Sequence, residues 1–293
     1  PAGGVMSASK STELAGDLAA RLAPGDAADE VALPAEARFR DEGRGVRFDE
    51  CGRDGRMRAA AVLRHAQDIA WRHSERLEYG RAWYEVRGVG WVVRGIDLLV
   101  DRPPHSNESI TGTTSLAGFR HVMARRHTRL FASSGRVIAD AAIDWVMTDA
   151  AGRPTRFPAE FEPFVARVGA TFLPMKLPSA PLDGGGVRTV EVPLRTSDID
   201  PLGHVNHAAW LEIVEEAVAV VAPDQLAAPR RRIRLEYLAV TEGSRAFVQC
   251  RQEQDGADLR IDIQDDRGVP LLRGLLTSLP ADPPDVRDGT TRG

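Results

Sequence analysis

The chain has 293 residues, of which 43% are hydrophobic, and its formal net charge is -4. This length is sufficient for one large domain or two ordinary domains with a full core. The acidic balance argues against nucleic acid as the main partner, and no apolar run approaches the roughly 20 residues of a membrane span. The two cysteines, Cys51 and Cys250, lie far apart, which excludes a disulfide framework and a cysteine metal site. We therefore expect no metal, no cofactor and no membrane.

The beginning of the chain shows no signal peptide. Five residues precede Met6, which we expect to be the natural start. Because cysteine usage also fits a reducing compartment, these features predict a cytoplasmic location.

Residues 1–44 are rich in Ala, Gly, Asp and Glu, which predicts a flexible N-terminal arm. Residues 45–150 are predicted to form a first domain. It begins with a strand over 46–51, continues with a helix over 58–79 that ends before Gly80, and closes with four strands. These four strands are predicted over residues 88–101, 108–116, 120–131 and 137–147.

Residues 151–186 are rich in proline and end in Gly184, Gly185 and Gly186, which predicts a linker. Residues 187–279 repeat the order of the first domain. A strand over 187–194 precedes a strongly apolar helix over about 205–221, with Val205, Ala209 and Ile213 recurring every four residues. Further strands are predicted over residues 233–240, 246–252, 259–264 and 271–279. The polar residues 280–293 are predicted to be a flexible tail.

The two halves can be superposed by sliding one sequence on the other. Placing Gly55 on Gly203 corresponds to an offset of 148 residues and brings the helices and strands into the same order. In this register Gly52 faces Asp200, and Arg56 faces His204. The first half therefore lacks the acid and the histidine, and we expect one active site per chain.

The chemically informative stretch is the turn at the start of the second helix. Asp200 and His204 flank Gly203 immediately before that helix. The first N–H groups of a buried helix lack partners and carry partial positive charge, which suits an oxyanion. We predict that Asp200 activates water or attacks a carbonyl, while His204 orients the water or the acid. The structural alternatives are helix capping for Asp200 and a core hydrogen bond for His204.

Asn206 and His207 are predicted to bind the oxyanion through their backbone N–H groups. The alternative is that both residues only form the helix terminus.

A helix wrapped by a curled antiparallel sheet is the hotdog fold. Two such domains in tandem, with the chemistry in the second, resemble the acyl-ACP thioesterases of plant plastids and bacteria. The likeness covers roughly residues 45–278 and implies an α+β double hotdog. Its motifs in this sequence are Gly55-Arg56-Met57, Trp91-Val92-Val93-Arg94, Gly203-His204-Val205-Asn206-His207 and Leu235-Glu236-Tyr237.

The chain departs from the plant-type pattern Asp-x-Asn-x-His at its third position, where Leu202 replaces Asn. The plant-type enzymes also have a Glu followed by a Cys a few residues after Leu-Glu-Tyr. In this chain these two positions are Val240 and Thr241, and Glu242 lies two residues after the Glu position. A simpler site, similar to that of single-hotdog thioesterases, is therefore favoured. Leu202, Thr241 and Glu242 join the candidates for substrate binding.

The resemblance implies a thioesterase that hydrolyses an acyl thioester of acyl carrier protein, or of CoA, with a fatty acid or polyketide-type chain. Two alternatives remain open. One is a hotdog dehydratase of 3-hydroxyacyl thioesters, with Asp54 and His204 as its pair, and the other is a non-catalytic acyl-binding protein.

The basic run Arg230, Arg231 and Arg232 suggests a docking surface for an acidic carrier protein. The alternative is a sheet edge protected by charge. A homodimer is compatible with the tandem arrangement.

Overall fold

A computed structural model describes residues 16–17, 21, 33–182, 184–241, 243–253 and 256–279. The helices are α1 (Ala59–Arg76), α2 (Arg81–Arg87), α3 (Glu162–Val168), α4 (His207–Val221) and α5 (Pro223–Ala227). The strands are β1 (Arg38–Arg40), β2 (Arg44–Gly45), β3 (Val89–Asp101), β4 (Ser109–Arg120), β5 (Met123–Ala132), β6 (Val137–Asp149), β7 (Arg188–Pro193), β8 (Arg230–Tyr237), β9 (Arg245–Gln252), β10 (Asp258–Asp265) and β11 (Pro270–Ser278).

Within the described residues all the strands belong to one antiparallel sheet of eleven strands. The order is β1-β4-β5-β6-β3-β8-β11-β10-β9-β7, and β2 also pairs with β4. The two halves meet at β3 and β8, where Gly95 lies opposite Glu236 and Asp101 opposite Arg230. Strands therefore follow each other outward from this junction in the same relative order on both sides. The large sheet with few helices confirms the predicted α+β class.

The two long helices share one hydrophobic core. In α1, residues such as Leu63 and Ile69 are fully buried, and in α4 Leu211 and Val214 are equally buried. All four belong to a single cluster that includes the inner side chains of strands from both halves. The apolar spacing that predicted each helix is thus the surface that packs against the sheet and against the other helix. No helix in the described part of the chain is long and apolar enough to cross a membrane.

The internal repeat found in the sequence is present in the backbone. An isolated antiparallel bridge joins Cys51 to Met57 ahead of α1. A second bridge joins Ile199 to Val205 ahead of α4. Each member of the second pair lies 148 positions after its counterpart, which is the offset that the sequence comparison used.

The glycine turn inside each bridge is also repeated. The amide of Gly55 donates to the carbonyl of Gly52, and the amide of Gly203 donates to the carbonyl of Asp200, both at 2.9 Å. The φ angles of Gly55 and Gly203 are +74° and +81°. A side chain at either position would be strained in this left-handed conformation.

The prediction of a strand over residues 46–51 is wrong. Residues Phe48–Glu50 form a 3₁₀-helix. It is closed by the carboxylate of Glu50, which accepts a hydrogen bond from the amide of Arg47 at 2.8 Å. The Glu50 side chain therefore gives the backbone a local hydrogen bond in place of one to a neighbouring strand.

The segment predicted to be a flexible arm contains β1 and β2, which pair with β4. Most of residues 1–32 lie outside the described residues, but Arg21 is described. Its guanidinium donates to Asp140 Oδ1 at 2.7 Å and to Asp97 Oδ1 at 3.1 Å. At least this point of the arm is attached to the outer face of the sheet. Of the predicted tail, residues 280–293, nothing is described.

The shared core predicts that α4 stabilises the whole molecule. We expect Leu211→Ala to lower the free energy of unfolding by about 2–5 kcal/mol, because the residue is fully buried. Urea titration followed by circular dichroism measures this loss. Val220→Ala is the matched control on the same helix, since Val220 is 58% exposed, and its effect should be under about 0.5 kcal/mol. Equal effects of the two substitutions would contradict the shared core.

Candidate active site

Asp200 lies in the tight loop that leads into α4. Its Oδ1 accepts hydrogen bonds from the amides of Leu202 at 2.8 Å and His204 at 3.3 Å. The amide of Asp200 in turn donates to the carbonyl of His204 at 2.8 Å. The carboxylate is half-buried, and none of the described residues donates to its Oδ2. One oxygen is thus fixed by the loop, while the other is available to a water molecule.

The helix cap is Asn206 and not Asp200. Asn206 Oδ1 accepts from the amide of Ala208 at 2.9 Å, which satisfies one of the free N–H groups of the first turn of α4. The Asn206 side-chain amide donates to Gln67 Oε1 on α1 at 3.1 Å. The alternative that Asp200 caps the helix is therefore wrong, because Asn206 forms the cap. A residue of the first half holds this cap in place.

His207 is the first residue of α4, and its side chain is buried. Burial, with the positive charge of Arg64, lowers the pKa of His207 to about 4, so the imidazole is neutral at pH 7. Its carbonyl accepts from the Tyr237 hydroxyl at 2.9 Å. No described group accepts from the backbone amide of His207. The amide of Asn206 donates to the carbonyl of Asp198 at 2.8 Å, so the prediction that it binds an oxyanion is wrong. The amide of His207 points out of the first turn and is the one suited to an oxyanion.

The corresponding end of α1 has a different arrangement. Oε1 of Glu215, which lies on α4, accepts from the amide of Ala59 at 3.2 Å. Burial raises the pKa of the Glu215 carboxyl to about 7, although the charge of Arg231 opposes the shift. Each long helix thus begins against the middle of the other.

The two helix termini are equivalent by the repeat but not in chemistry. At α4 the loop supplies Asp200 and His204, and the amide of His207 is open. At α1 the same loop positions hold Gly52 and Arg56, and the buried carboxyl group of Glu215 accepts from the first amide. The α4 terminus therefore has the acid and the anion site together, whereas the α1 terminus has its anion site filled.

The side chains of the remaining predicted binding residues make no hydrogen bond to Asp200, His204 or His207 within the described part of the chain. Leu202 is 59% exposed, and only its amide takes part in the loop. Thr241 Oγ1 bonds to Asp265 Oδ2 at 3.3 Å and accepts from the amide of Gly243. Val240, at the family's Glu position, is 58% exposed. Glu242 lies outside the described residues.

The three arginines predicted to dock a carrier protein are engaged inside the chain. Arg230 is buried and pairs with Asp101 at 3.0 Å. Arg231 is buried and donates to the carbonyl of Leu226. Arg232 pairs with Asp97 at 2.6 Å. Because β8 is a central strand, the alternative of a charged sheet edge is wrong as well.

Sequence reasoning missed Gln67 and Glu215, which lie at the crossing of the two helices. The offset of 148 residues places Gln67 on Glu215, so a signal was present in the sequence. The roles of these two residues could be inferred only from the structure, in which each helix begins against the middle of the other. Among the described residues, no group of three His, Cys, Asp or Glu side chains is arranged to hold a metal ion.

A model of a known protein family matches part of the chain. Residues 39–162 match the model of the acyl-ACP thioesterase N-terminal domain, which confirms the resemblance predicted from the sequence. No functionally curated protein matches the sequence.

Solved structures match over most of the chain. A Lactobacillus plantarum protein provisionally assigned as an oleoyl thioesterase has a TM-score of 0.70 and 18% identity, and the match covers 83% of this chain and 97% of that one. An acyl-ACP thioesterase from Bacteroides thetaiotaomicron has a TM-score of 0.68 and 15% identity, with 85% and 99% covered. The 12:0-ACP thioesterase from Umbellularia californica has a TM-score of 0.66 and 19% identity, with 84% and 98% covered. At these identities the likeness shows a shared fold.

The filled terminus of α1 gives a pH-dependent prediction. The folded protein keeps Glu215 protonated up to about pH 7, whereas the unfolded chain ionises it near pH 4.5. Stability from this group is therefore present below pH 4.5 and is lost as the pH rises through 7. Glutamine cannot ionise, so the free energy of unfolding of Glu215→Gln relative to wild type should rise by about 2–3 kcal/mol between pH 4.5 and pH 8.

Urea titrations of both proteins at the two pH values measure this change, and the difference between them cancels the titration of other groups. Glu216→Gln is the control, since Glu216 is exposed on the same helix. A constant difference between wild type and Glu215→Gln across this range would show that Glu215 does not titrate as described.

Proposed function

We propose that this chain, whose residues 39–162 match the acyl-ACP thioesterase N-terminal domain, is a thioester hydrolase that releases a free acid from acyl carrier protein. One observation carries the proposal. Of two helix termini related by the repeat, only the α4 terminus combines a carboxylate with an unoccupied first-turn amide. Thioester hydrolysis needs both, because water must be activated and a tetrahedral oxyanion must be stabilised.

The proposed reaction begins at Asp200. The fixed Oδ1 holds the carboxylate, and Oδ2 accepts a proton from water as that water attacks the thioester carbonyl carbon. His204, adjacent in the same loop and half-buried, orients the water or the acid. General-base assistance of this kind contributes roughly 10²–10⁴ in rate.

The oxyanion formed by the attack is placed at the amide of His207. A positioned donor of this type contributes about 10²–10³ in rate. When the tetrahedral intermediate collapses, the carbon–sulfur bond breaks, and the thiolate leaves with the proton that Asp200 had taken up. The products are a free acid and the thiol of the carrier, and the carboxylate of Asp200 is regenerated.

The catalytic set is smaller than the plant-type pattern. Neither Leu202 nor Val240 supplies a polar side chain, and both are exposed. Thr241 is engaged with Asp265. We therefore assign the chemistry to Asp200, His204 and the start of α4. Glu242 stays a candidate for substrate binding.

We also propose that each half of the chain is a hotdog domain, with α1 and α4 as the two central helices and residues 151–186 as the linker. The palindromic strand order and the repeated loops support this division. The carrier is proposed to be acyl carrier protein because the matching family model and two of the similar structures that span most of the chain are named for this carrier. A cytoplasmic location remains an expectation from the sequence.

Asp200→Asn tests the proposal directly. The amide keeps an oxygen for the loop amides but cannot take a proton, so kcat on an acyl-ACP thioester should fall by about 10²–10⁴. Release of free thiol measures turnover. Asp54→Asn is the matched control, because Asp54 closes the equivalent loop before α1 by accepting from the amide of Arg56 at 3.0 Å, and its activity should stay within about twofold of wild type.

Full activity of Asp200→Asn would refute the role of Asp200. The control also tests the dehydratase alternative, in which Asp54 is the acid. Loss of activity in Asp54→Asn together with formation of an enoyl product from a 3-hydroxyacyl thioester would favour that alternative.

A further inference from the structure

Two buried polar atoms near the start of α4 have no partner. Nε2 of His207 and Nε1 of Trp145 are both removed from solvent, and none of the described residues forms a hydrogen bond with either. Buried polar groups are satisfied in the great majority of cases, since leaving one unpaired costs free energy. Two such atoms beside a candidate active site therefore point to a ligand.

The two side chains come from different halves of the chain and meet at the junction. Trp145 lies on β6, between Val93 of β3 and Ala124 of β5. Its ring lies 5.5 Å from the His207 ring, centroid to centroid, at an angle of 79°. In such an edge-to-face contact only one ring directs its edge at the other. A weak N–H···π contact can thus serve at most one of the two nitrogens.

The chemistry of the two nitrogens restricts the group that satisfies them. The Trp145 indole N–H can only donate, so its partner must be an acceptor. Burial keeps His207 neutral, and a neutral imidazole nitrogen either donates or accepts according to its tautomer. An uncharged oxygen, as in a hydroxyl or a ketone, satisfies both nitrogens. A methylene group would leave both unpaired.

The location restricts where this oxygen lies on the substrate. The side chain of His207 and the amide proposed to hold the oxyanion belong to the same residue. A group that contacts the side chain therefore lies close to the reacting carbonyl, within the first few carbons of the acyl chain. The nearest common oxygenated position is C3, which is separated from the carbonyl carbon by one atom.

We infer that Trp145 and His207 form a binding site for an oxygen at C3 of the acyl chain, so that the enzyme favours 3-hydroxyacyl or 3-oxoacyl thioesters over saturated ones. This inference rests on the proposed function, which it makes more specific. A site built to hydrogen-bond a substrate oxygen discriminates strongly against the analogue that lacks it, because its own buried groups are then left unpaired.

The test compares pantetheine thioesters of one chain length that carry a saturated, a 3-hydroxy or a 3-oxo acyl group, with release of free thiol as the readout. Wild type should show a kcat/KM for at least one oxygenated substrate that is about tenfold or more above that for the saturated one. Comparison of the 3-hydroxy and 3-oxo substrates shows which oxygen the site prefers.

Trp145→Phe keeps the ring but removes the donor, and His207→Phe removes the imidazole nitrogens. Each should lower the ratio of oxygenated to saturated kcat/KM by about tenfold. The ratio is measured within one preparation, so it does not depend on the fraction of protein that is folded. Trp91→Phe is the matched control, because the Trp91 indole donates to the Tyr84 hydroxyl at 3.0 Å inside the protein, and its ratio should equal that of wild type.

Equal kcat/KM values for the three substrates in wild type would overturn the inference while leaving the proposed hydrolysis intact. An unchanged ratio in both Trp145→Phe and His207→Phe would do the same, as would a similar fall of the ratio in Trp91→Phe. Absence of thiol release from every substrate, and from the corresponding acyl-ACP, would instead refute the proposed function.

Discussion

The structure depends on how two buried helices satisfy their first-turn amides where they cross. Each helix begins against the middle of the other, and the first residues of the two helices, Ala59 and His207, are buried. At α1 the carboxyl of Glu215 takes the amide of Ala59. At α4 the chain caps itself with Asn206, and Gln67 holds the cap. A buried backbone amide needs a hydrogen-bond acceptor. A helix terminus whose first amide is paired within the protein is structural, whereas a terminus whose first amide is unpaired can bind a ligand.

The face of the sheet that points away from the two long helices explains why the basic run of Arg230, Arg231 and Arg232 is not available to a partner. In central strand β8 the side chains alternate between the core and the outer face, so Ile233 is buried while Arg232 meets Asp97. The same pairing occurs in the first half, where Arg125 meets Asp144 at 2.7 Å. These cross-strand pairs lie under other segments of the chain. The amide of Met175, in the predicted linker, donates to Asp144 at 3.2 Å, and Arg21 donates to Asp97 at 3.1 Å.

Elements with strong periodicity were predictable from the sequence. The helices over 59–76 and 207–221 and the long strands were found because one face of each is apolar over many residues. The repeat was also found, although few residues match, because a glycine with positive φ anchors each loop. The strand over 46–51 was wrong because the Glu50 side chain closes a local turn, and α2 and α3 are too short for their periodicity to exceed that of a loop.

The site was predictable only in part for a related reason. Asp200 and His204 are adjacent in sequence and belong to one turn, so their proximity could be inferred without the fold. The pairing of Glu215 with Ala59, and that of Gln67 with Asn206, join residues more than a hundred positions apart. The same holds for Arg232 and Asp97. Their opposite charges could be read from the sequence, but the register that pairs β3 with β8 could not. Sequence spacing identifies contacts within one turn, whereas contacts between repeats need the crossing angle of the helices.

The exposure of the side chains changes along the loop before α4, in a direction that agrees with the proposed reaction. Leu202 is exposed, Asp200 and His204 are half-buried, and His207 is buried. The acid and histidine therefore face the side from which water arrives, while the imidazole of His207 faces the junction between the halves. A thioester carbonyl held at the amide of His207 would lie at the boundary of these two regions. In the proposed reaction, water would therefore attack from the polar side, with the acyl chain on the enclosed side.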